Sequence, residues 1–286
     1  MVMRLDRALV DRRLAESRTR AARLIADGQV KVDGVTVTKT AHPVGTGSRI
    51  ELSATDRYVA RSAHKLAGAL RDMGLFSRIA GRRCLDAGAS TGGFTQVLLE
   101  HGAARVEAVD VGHGQLHPRI AARPEVSNRE GTTVRGLAPE DIGGPVDLTV
   151  ADLSFISLEL VLPSLAACTR PGGWLLLMVK PQFELQRADL DSHGVVTDPG
   201  ARARALTRVL HAAAGSGLQV SGAAASRLPG PSGNLEYFLF CDRVEEDRDP
   251  DPRVRSFIGQ IAAGHGAPAV VEPVRPAAAP RSEEGT

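Results

Sequence analysis

Cysteine is scarce in this chain: there are three in 286 residues, Cys84, Cys168 and Cys241, each among apolar neighbours. Three scattered thiols make neither a disulfide frame nor a zinc site, and no metal is expected. Long apolar runs are also missing. None reaches the roughly 18 residues a membrane-spanning helix needs, and the N-terminus lacks the apolar core of a secretory signal. A cytoplasmic protein with no membrane attachment is expected. A large charge of one sign is absent too. The net charge of +2 implies no strong global field, so any nucleic-acid contact must come from a local patch. Lysine is the most informative shortage. Of 35 basic residues only Lys31, Lys39, Lys65 and Lys180 are lysines. Arginine keeps its proton in a protein, whereas lysine can give it up, so the placement of four lysines among so many arginines carries information. Chance placement is the bland alternative.

What is present is enough chain, 43% of it hydrophobic, for one medium domain and one small one. The central stretch is Cys84-Leu85-Asp86-Ala87-Gly88-Ala89-Ser90-Thr91-Gly92-Gly93-Phe94-Thr95, continuing to Leu99. It predicts a buried strand, a glycine-rich turn and a helix, with Thr91 or a neighbour as helix cap and Phe94, Val97 and Leu98 facing inward. The turn has no Gly-Lys-Ser/Thr ending and no Gly-x-Gly-x-x-Gly pattern, so neither a triphosphate nor a dinucleotide is indicated. Asp86 ends this strand and Asp110 ends the next, and an acid after the second strand commonly binds ribose hydroxyls. A nucleoside without pyrophosphate, such as S-adenosylmethionine, suits that pattern. A turn that merely packs a helix onto a sheet remains open at this point.

Residues 1–59 read as a separate small α+β unit. Arg4–Leu9 predicts one short helix. Ser17 caps a second through Ile25, and Val30–Val37 forms a hairpin turning at Asp33-Gly34. The first 60 residues carry 11 Lys/Arg against 7 Asp/Glu, which points to phosphate contacts as readily as to a solvated basic helix. A helix follows with Lys65 in its first turn and Leu66, Leu70 and Met73 inward. Residues 60–245 then alternate strands (near 83–87, 105–110, 132–135, 146–151, 173–179, 218–226 and 235–241) with helices (about 92–101, 116–122, 157–168 and 199–216). This predicts an α/β, Rossmann-like, mostly parallel sheet whose last strand is antiparallel, because the Pro/Gly/Ser loop 229–233 suits an antiparallel neighbour. Residues 246–286 read as a short helix over 254–262 and a disordered tail.

In such sheets functional groups gather at the C-terminal ends of the strands. Asp152 and Lys180 each follow a strand, Glu236 begins the antiparallel one, and Lys65 approaches from the preceding helix. Two lysines and two carboxylates at one rim suit methyl transfer to a ribose 2′-hydroxyl. Lys180 would take the proton, Lys65 would orient the oxygen, and Asp152 and Glu236 would hold the lysines. Two structural ion pairs at a sheet edge are the alternative.

These residues carry two resemblances. Arg-Leu-Asp, Ser-Arg-x-x-Ala-x-x-Leu-Ile-x-x-Gly-x-Val and Val-x-Gly in the first 50 residues resemble the RNA-binding domain named after ribosomal protein S-four. That resemblance implies RNA contacts from Arg4, Arg18, Arg20 and Lys31. Lys65, Asp152, Lys180 and Glu236 match the Lys-Asp-Lys-Glu tetrad of FtsJ-like ribose 2′-O-methyltransferases. With Asp110-Val-Gly-x-Gly-Gln-Leu, Asp152-Leu-Ser-Phe-Ile-Ser, Lys180-Pro-Gln-Phe-Glu and Gly194-Val-Val, the chain from residue 3 to 245 is similar to the TlyA family. These are rRNA cytidine 2′-O-methyltransferases, also named haemolysins. The family resemblance implies S-adenosylmethionine held by Asp86, Gly88, Ser90, Thr91, Gly92, Gly93, Phe94, Asp110 and Val111. It also implies 16S or 23S rRNA, or both, in 30S and 50S subunits as partner; a monomer off the ribosome is expected. Ser62 and Thr133 depart from the family's usual glycine and asparagine. A membrane-active haemolysin and an inactive assembly factor are the alternative functions. The absence of an apolar span or long amphipathic segment speaks against the first, and the intact tetrad against the second.

Overall fold

The computed structural model describes residues 2–15, 17–26, 28–52, 58–230, 232–244 and 252–264. It divides into two compact units, Met1–Arg61 and Ser62–Thr286. The expected tail beyond residue 264 lies outside the described residues, as does Pro231 of the 229–233 loop.

The first unit contains β1 (Val2–Arg4), α1 (Leu5–Asp11), α2 (Arg18–Ala26), β2 (Val30–Val32), β3 (Val35–Thr36), β4 (Pro43–Gly45) and β5 (Ile50–Leu52). Leu5, Ala8 and Leu9 of α1 and Ala21, Leu24 and Ile25 of α2 recur at helical spacing and build its core. Ser17 Oγ accepts from the Arg20 N–H at 3.2 Å, the expected cap. Asp33 and Gly34 both take positive φ (51° and 83°), as the tight hairpin between β2 and β3 requires. The pairings β1–β4 and β2–β5 link segments distant in sequence, which local pattern does not reveal.

The second unit comprises α3 (Ser62–Asp72), β6 (Arg83–Ala87), α4 (Gly93–Glu100), β7 (Arg105–Asp110), α5 (Pro118–Ala121), β8 (Val126–Glu130), β9 (Val146–Ala151), α6 (Leu162–Cys168), β10 (Thr169–Val179), α7 (Pro181–Glu184), α8 (Pro199–Ala214), β11 (Leu218–Ala225), β12 (Tyr237–Arg243) and α9 (Pro252–Ala262). Its seven strands run in the order β11-β12-β10-β9-β6-β7-β8. All neighbouring pairs are parallel except those of β12, which is antiparallel to both β10 and β11. Residues Trp174 to Val179 are all buried because helices cover both faces of the sheet there. All three cysteines are buried and free.

Two expectations need correction. The third strand is Val126–Glu130, not 132–135. It is an edge strand paired only with β7, and its half-exposed Val-Ser-Asn-Arg-Glu has no apolar alternation to betray it. Thr132, Thr133 and Val134 are β-branched but lie in the loop beyond Gly131. The helix expected over 157–168 is a 3-10 turn at Leu158–Leu160 followed by α6, with Pro163 in the first turn of α6.

Leu177 lies in the centre of the sheet and is fully buried. Leu177→Ala is expected to lower unfolding free energy by about 2–5 kcal/mol, measured by urea denaturation at pH 7.

Candidate active site

The turn after β6 is shaped by its contact with the end of β9. Asp152 N–H donates to the Ala87 carbonyl at 3.0 Å. Gly88, at φ +86°, lies so close that a Cβ there would stand 2.5 Å from the Asp152 carbonyl oxygen. Glycine is required on both grounds. Ser90 N–H donates to Asp110 Oδ2 at 2.9 Å, tying the turn to the end of β7. The expected Thr91 cap is not made: α4 begins from Gly92 with no side-chain cap.

Beside this turn opens a cavity of about 440 Å³, lined by Gly88, Ser90, Asp110, Val111, Gln115, Thr133–Arg135, Asp152–Ile156 and Val161. Its wall 110–116 is held by carboxylates. Asp110 Oδ1 accepts from Gly112 N–H at 2.7 Å. Glu130 accepts from the N–H groups of Gly114, Gln115 and Leu116 at 2.6–3.0 Å. Those backbone donors hold the Glu130 carboxyl down at about 2.

Two lysine–carboxylate pairs lie at the same rim. Lys65, in the first turn of α3 and 6% exposed, meets Glu236 Oε2 at 2.5 Å, and Glu236 is 2% exposed. Lys180, leaving β10, stands 2.7 Å from Asp152 Oδ1. That contact is an ion pair without hydrogen-bond alignment, since Asp152 Oδ1 has no hydrogen-bond partner. The aligned bond runs from Lys180 Nζ to Ser154 Oγ, at 2.8 Å. Lys180 and Asp152 line a cavity of about 170 Å³ with Gly88, Ser90 and Phe94. Lys180 and Glu236 line another of about 360 Å³ with Phe155, Phe183 and Asn234. Lys65 lines none of the three and reaches the rim through its contact with Glu236.

Of the expected cofactor residues, Gly88, Ser90, Asp110 and Val111 line the cavity of about 440 Å³, and Phe94 that of about 170 Å³. Thr91, Gly92 and Gly93 line none of the three. Asp86 does not reach them either. It is fully buried and accepts from Thr95 Oγ1 at 2.6 Å, tethering α4 to β6. Burial pushes its carboxyl up to about 7, helped by Asp152 and Asp110 and opposed by the Thr95 bond.

Sequence reasoning assigned no role to Ser154, Phe155, Phe183 or Asn234. Phe155 is 91% exposed, has φ +63° and lies 5.1 Å from the Phe183 ring between centroids. An exposed aromatic in left-handed backbone is costly without a function, but only the backbone angle reveals it. Asn234 is buried, accepts from Val196 N–H and donates to the Gly194 carbonyl, pinning one wall of the 360 Å³ cavity.

In the first unit, Arg4, Arg18 and Arg20 are exposed and Lys31 half-buried. Buried Asp6 accepts from both Arg4 and Arg18, at 2.8–3.2 Å, and these two guanidinium groups hold its carboxyl well below the usual range. Among the described residues there is no metal-ligand cluster and no helix long and apolar enough to cross a membrane.

The FtsJ-like methyltransferase model matches residues 58–243, and the S4 domain model matches residues 3–50. The 16S/23S rRNA (cytidine-2′-O)-methyltransferase TlyA of Mycobacterium tuberculosis is 50% identical over 247 residues, covering 86% of this chain and 91% of that protein. Hemolysin A of Brachyspira hyodysenteriae is 34% identical over 236 residues, covering 82% and 98%. A solved structure of a candidate hemolysin from Streptococcus thermophilus has a TM-score of 0.72 at 32% identity and covers 92% of this chain and 95% of that one.

Asp86 generates a pH prediction. Its folded carboxyl titrates near 7, above the ordinary aspartate range, so between about pH 4 and 7 the unfolded chain loses a proton that the folded chain keeps. The group therefore stabilises least at high pH. Relative to wild type, Asp86→Asn is expected to gain unfolding free energy as pH rises from 4 to 8, on the order of 4 kcal/mol at most. Denaturant unfolding of both proteins across that range measures it; a flat difference overturns the assignment.

Proposed function

Since the chain belongs to the TlyA family of FtsJ-like methyltransferases, we propose that it methylates the ribose 2′-hydroxyl of a cytidine in ribosomal RNA, with S-adenosylmethionine as donor. The observation that carries this reading is the pair of buried lysine–carboxylate contacts at one rim, Lys180–Asp152 and Lys65–Glu236, beside a nucleoside-sized cavity.

The cavity's own chemistry fits the donor. Two carboxylates, Asp110 and Asp152, face one basic side chain, Arg135, which suits a cationic ligand better than a phosphate. Each Asp110 oxygen has one backbone donor and so keeps lone-pair capacity for a ribose hydroxyl. Val111, Val134 and Ile156 offer apolar surface for a base, and the volume of about 440 Å³ lies within the usual range for ligand sites. When bound there, S-adenosylmethionine supplies an electrophilic methyl group.

This chain's residues then govern the nucleophile. Lys180 Nζ, in its neutral form, accepts the 2′-hydroxyl proton, and Asp152 stabilises the ammonium that results. Glu236, held by Lys65, forms part of the wall that positions the ribose. Phe155 and Phe183 offer ring faces on which a flipped base stacks. The S4 unit docks folded RNA through Arg4, Arg18, Arg20 and Lys31, with Asp6 setting the direction of the first two. An assembled ribosomal subunit, 30S, 50S or both, is the substrate, and the free protein works in the cytoplasm as a monomer. The absence of a membrane-crossing helix among the described residues does not favour lysis as the primary activity.

The decisive experiment incubates tritiated S-adenosylmethionine with separated 30S and 50S subunits from a strain lacking the modification. Label at one cytidine, resistant to alkaline cleavage, is the expected result and identifies the subunit. No label on either subunit, with cofactor binding intact, overturns the reading. Lys180→Arg is expected to lower methylation by at least about 100-fold while cofactor affinity by calorimetry stays within about threefold, because arginine keeps the charge but cannot accept a proton. A near wild-type rate removes Lys180 from the role of base.

A further inference from the structure

We propose that Ser154 is the positioning residue for Lys180: its hydroxyl fixes the direction of the lysine amine so that the lone pair points at the incoming 2′-hydroxyl. This inference rests on the function proposed above and adds a residue outside the tetrad.

A lysine base presents a directional problem. Its amine sits on four rotatable carbons, and a neutral amine has two N–H bonds and a single lone pair. Each N–H bond that is held narrows the directions left to the lone pair of the tetrahedral nitrogen. Here Asp152 supplies the opposite charge at 2.7 Å, but its oxygen is not aligned to accept a hydrogen bond. Charge attraction of that kind holds a nitrogen near without fixing how it turns. The aligned bond goes to Ser154 Oγ at 2.8 Å. Ser154 is also the one residue shared by all three cavities. It therefore stands where the donor site meets the cavity lined by Phe155, Phe183 and Glu236, the junction that the transferred methyl group must cross.

The backbone around Ser154 is fixed from both sides. Asp152 N–H is bonded to Ala87. Ser157 Oγ and Leu158 N–H donate to buried Glu184 at 2.6 and 3.0 Å, anchoring the far end of the loop to α7. The hydroxyl is thus carried on a short loop tied at each end, which suits it to orient a longer, more mobile side chain. In the transfer step the 2′-oxygen gives its proton to Lys180 Nζ and its electron pair to the methyl carbon, and the carbon–sulfur pair stays with sulfur. Ser154 takes no part in the covalent change; it keeps one amine N–H occupied while the third position meets the 2′-hydroxyl.

The test uses three variants that separate hydroxyl from shape: Ser154→Ala, Ser154→Val and Ser154→Thr, the last two being nearly isosteric. Single-turnover methylation of the ribosomal subunit labelled by wild type is measured alongside cofactor affinity by calorimetry and RNA affinity by filter binding. The expected result is a kcat loss of about 10–100-fold in the alanine and valine variants. Threonine should stay within about threefold of wild type, and all three should keep cofactor and RNA affinity within about twofold. Equal rates for valine and threonine, an unaffected alanine variant, or a loss expressed wholly as weaker cofactor or RNA binding each overturns the proposal. Wild type run in parallel keeps the two hypotheses apart. Absence of alkali-resistant label with wild type sinks the ribose methylation itself, whereas labelled wild type with unaltered variants sinks only the role of Ser154.

Discussion

Two lysine side chains held largely out of water at one sheet rim constrain everything around them. Burying a lysine to the extent of Lys65 is costly without a close carboxylate, and Glu236 meets it at 2.5 Å. Such a pair is weak evidence for stability, because desolvation offsets much of the attraction. Its retention in an arginine-rich chain is better explained by chemistry. The second pair, Lys180–Asp152, is more open and lines the cavities. In the proposed transfer one pair braces the site and the other works in it.

Strand polarity is what lets the four groups meet. Asp152 and Lys180 lie just past the ends of the parallel strands β9 and β10. Glu236 lies just before β12, and only because β12 runs antiparallel, with Val179 opposite Tyr237, does its beginning share their rim. A parallel β12 would have placed Glu236 at the far edge of the sheet. The rim's loops are in turn held by carboxylates used as backbone acceptors: Glu130 for 114–116, Glu184 for 157–158 and Asp110 for the glycine turn. These bonds leave the functional loops short of regular structure but not free to drift. Asp6 plays a comparable part in the S4 unit, where a buried carboxylate directs two exposed arginines.

Much of the site was legible because catalysis and ligand binding restrict residue type. A glycine-rich turn after an apolar strand, acids at successive strand ends, and lysines kept where arginine is the rule are all visible in one dimension. Other features were not. Asp86 has the residue type and position of a ligand contact, yet it faces Thr95 and the interior. Thr91 is a good cap by type, yet α4 starts without one. The edge strand β8 has no apolar alternation because solvent takes much of its surface, so the β-branched Thr132–Val134 beyond it attracted the assignment instead.

The sequence by itself determined the chemistry on offer and the order of the elements, since periodicity follows burial and each reaction admits few residue types. It determined the two-part organisation, the strand–helix alternation and the four tetrad positions. Only the tertiary structure decided which lysine meets which carboxylate, and that Ser154 rather than Asp152 makes the directed bond to Lys180. Only the tertiary structure turned Phe155 outward over two cavities and Asp86 inward beneath the turn. The physical reason is the same in each case. Pairing, burial and side-chain direction depend on contacts between segments far apart in the chain, and local propensity carries no term for them.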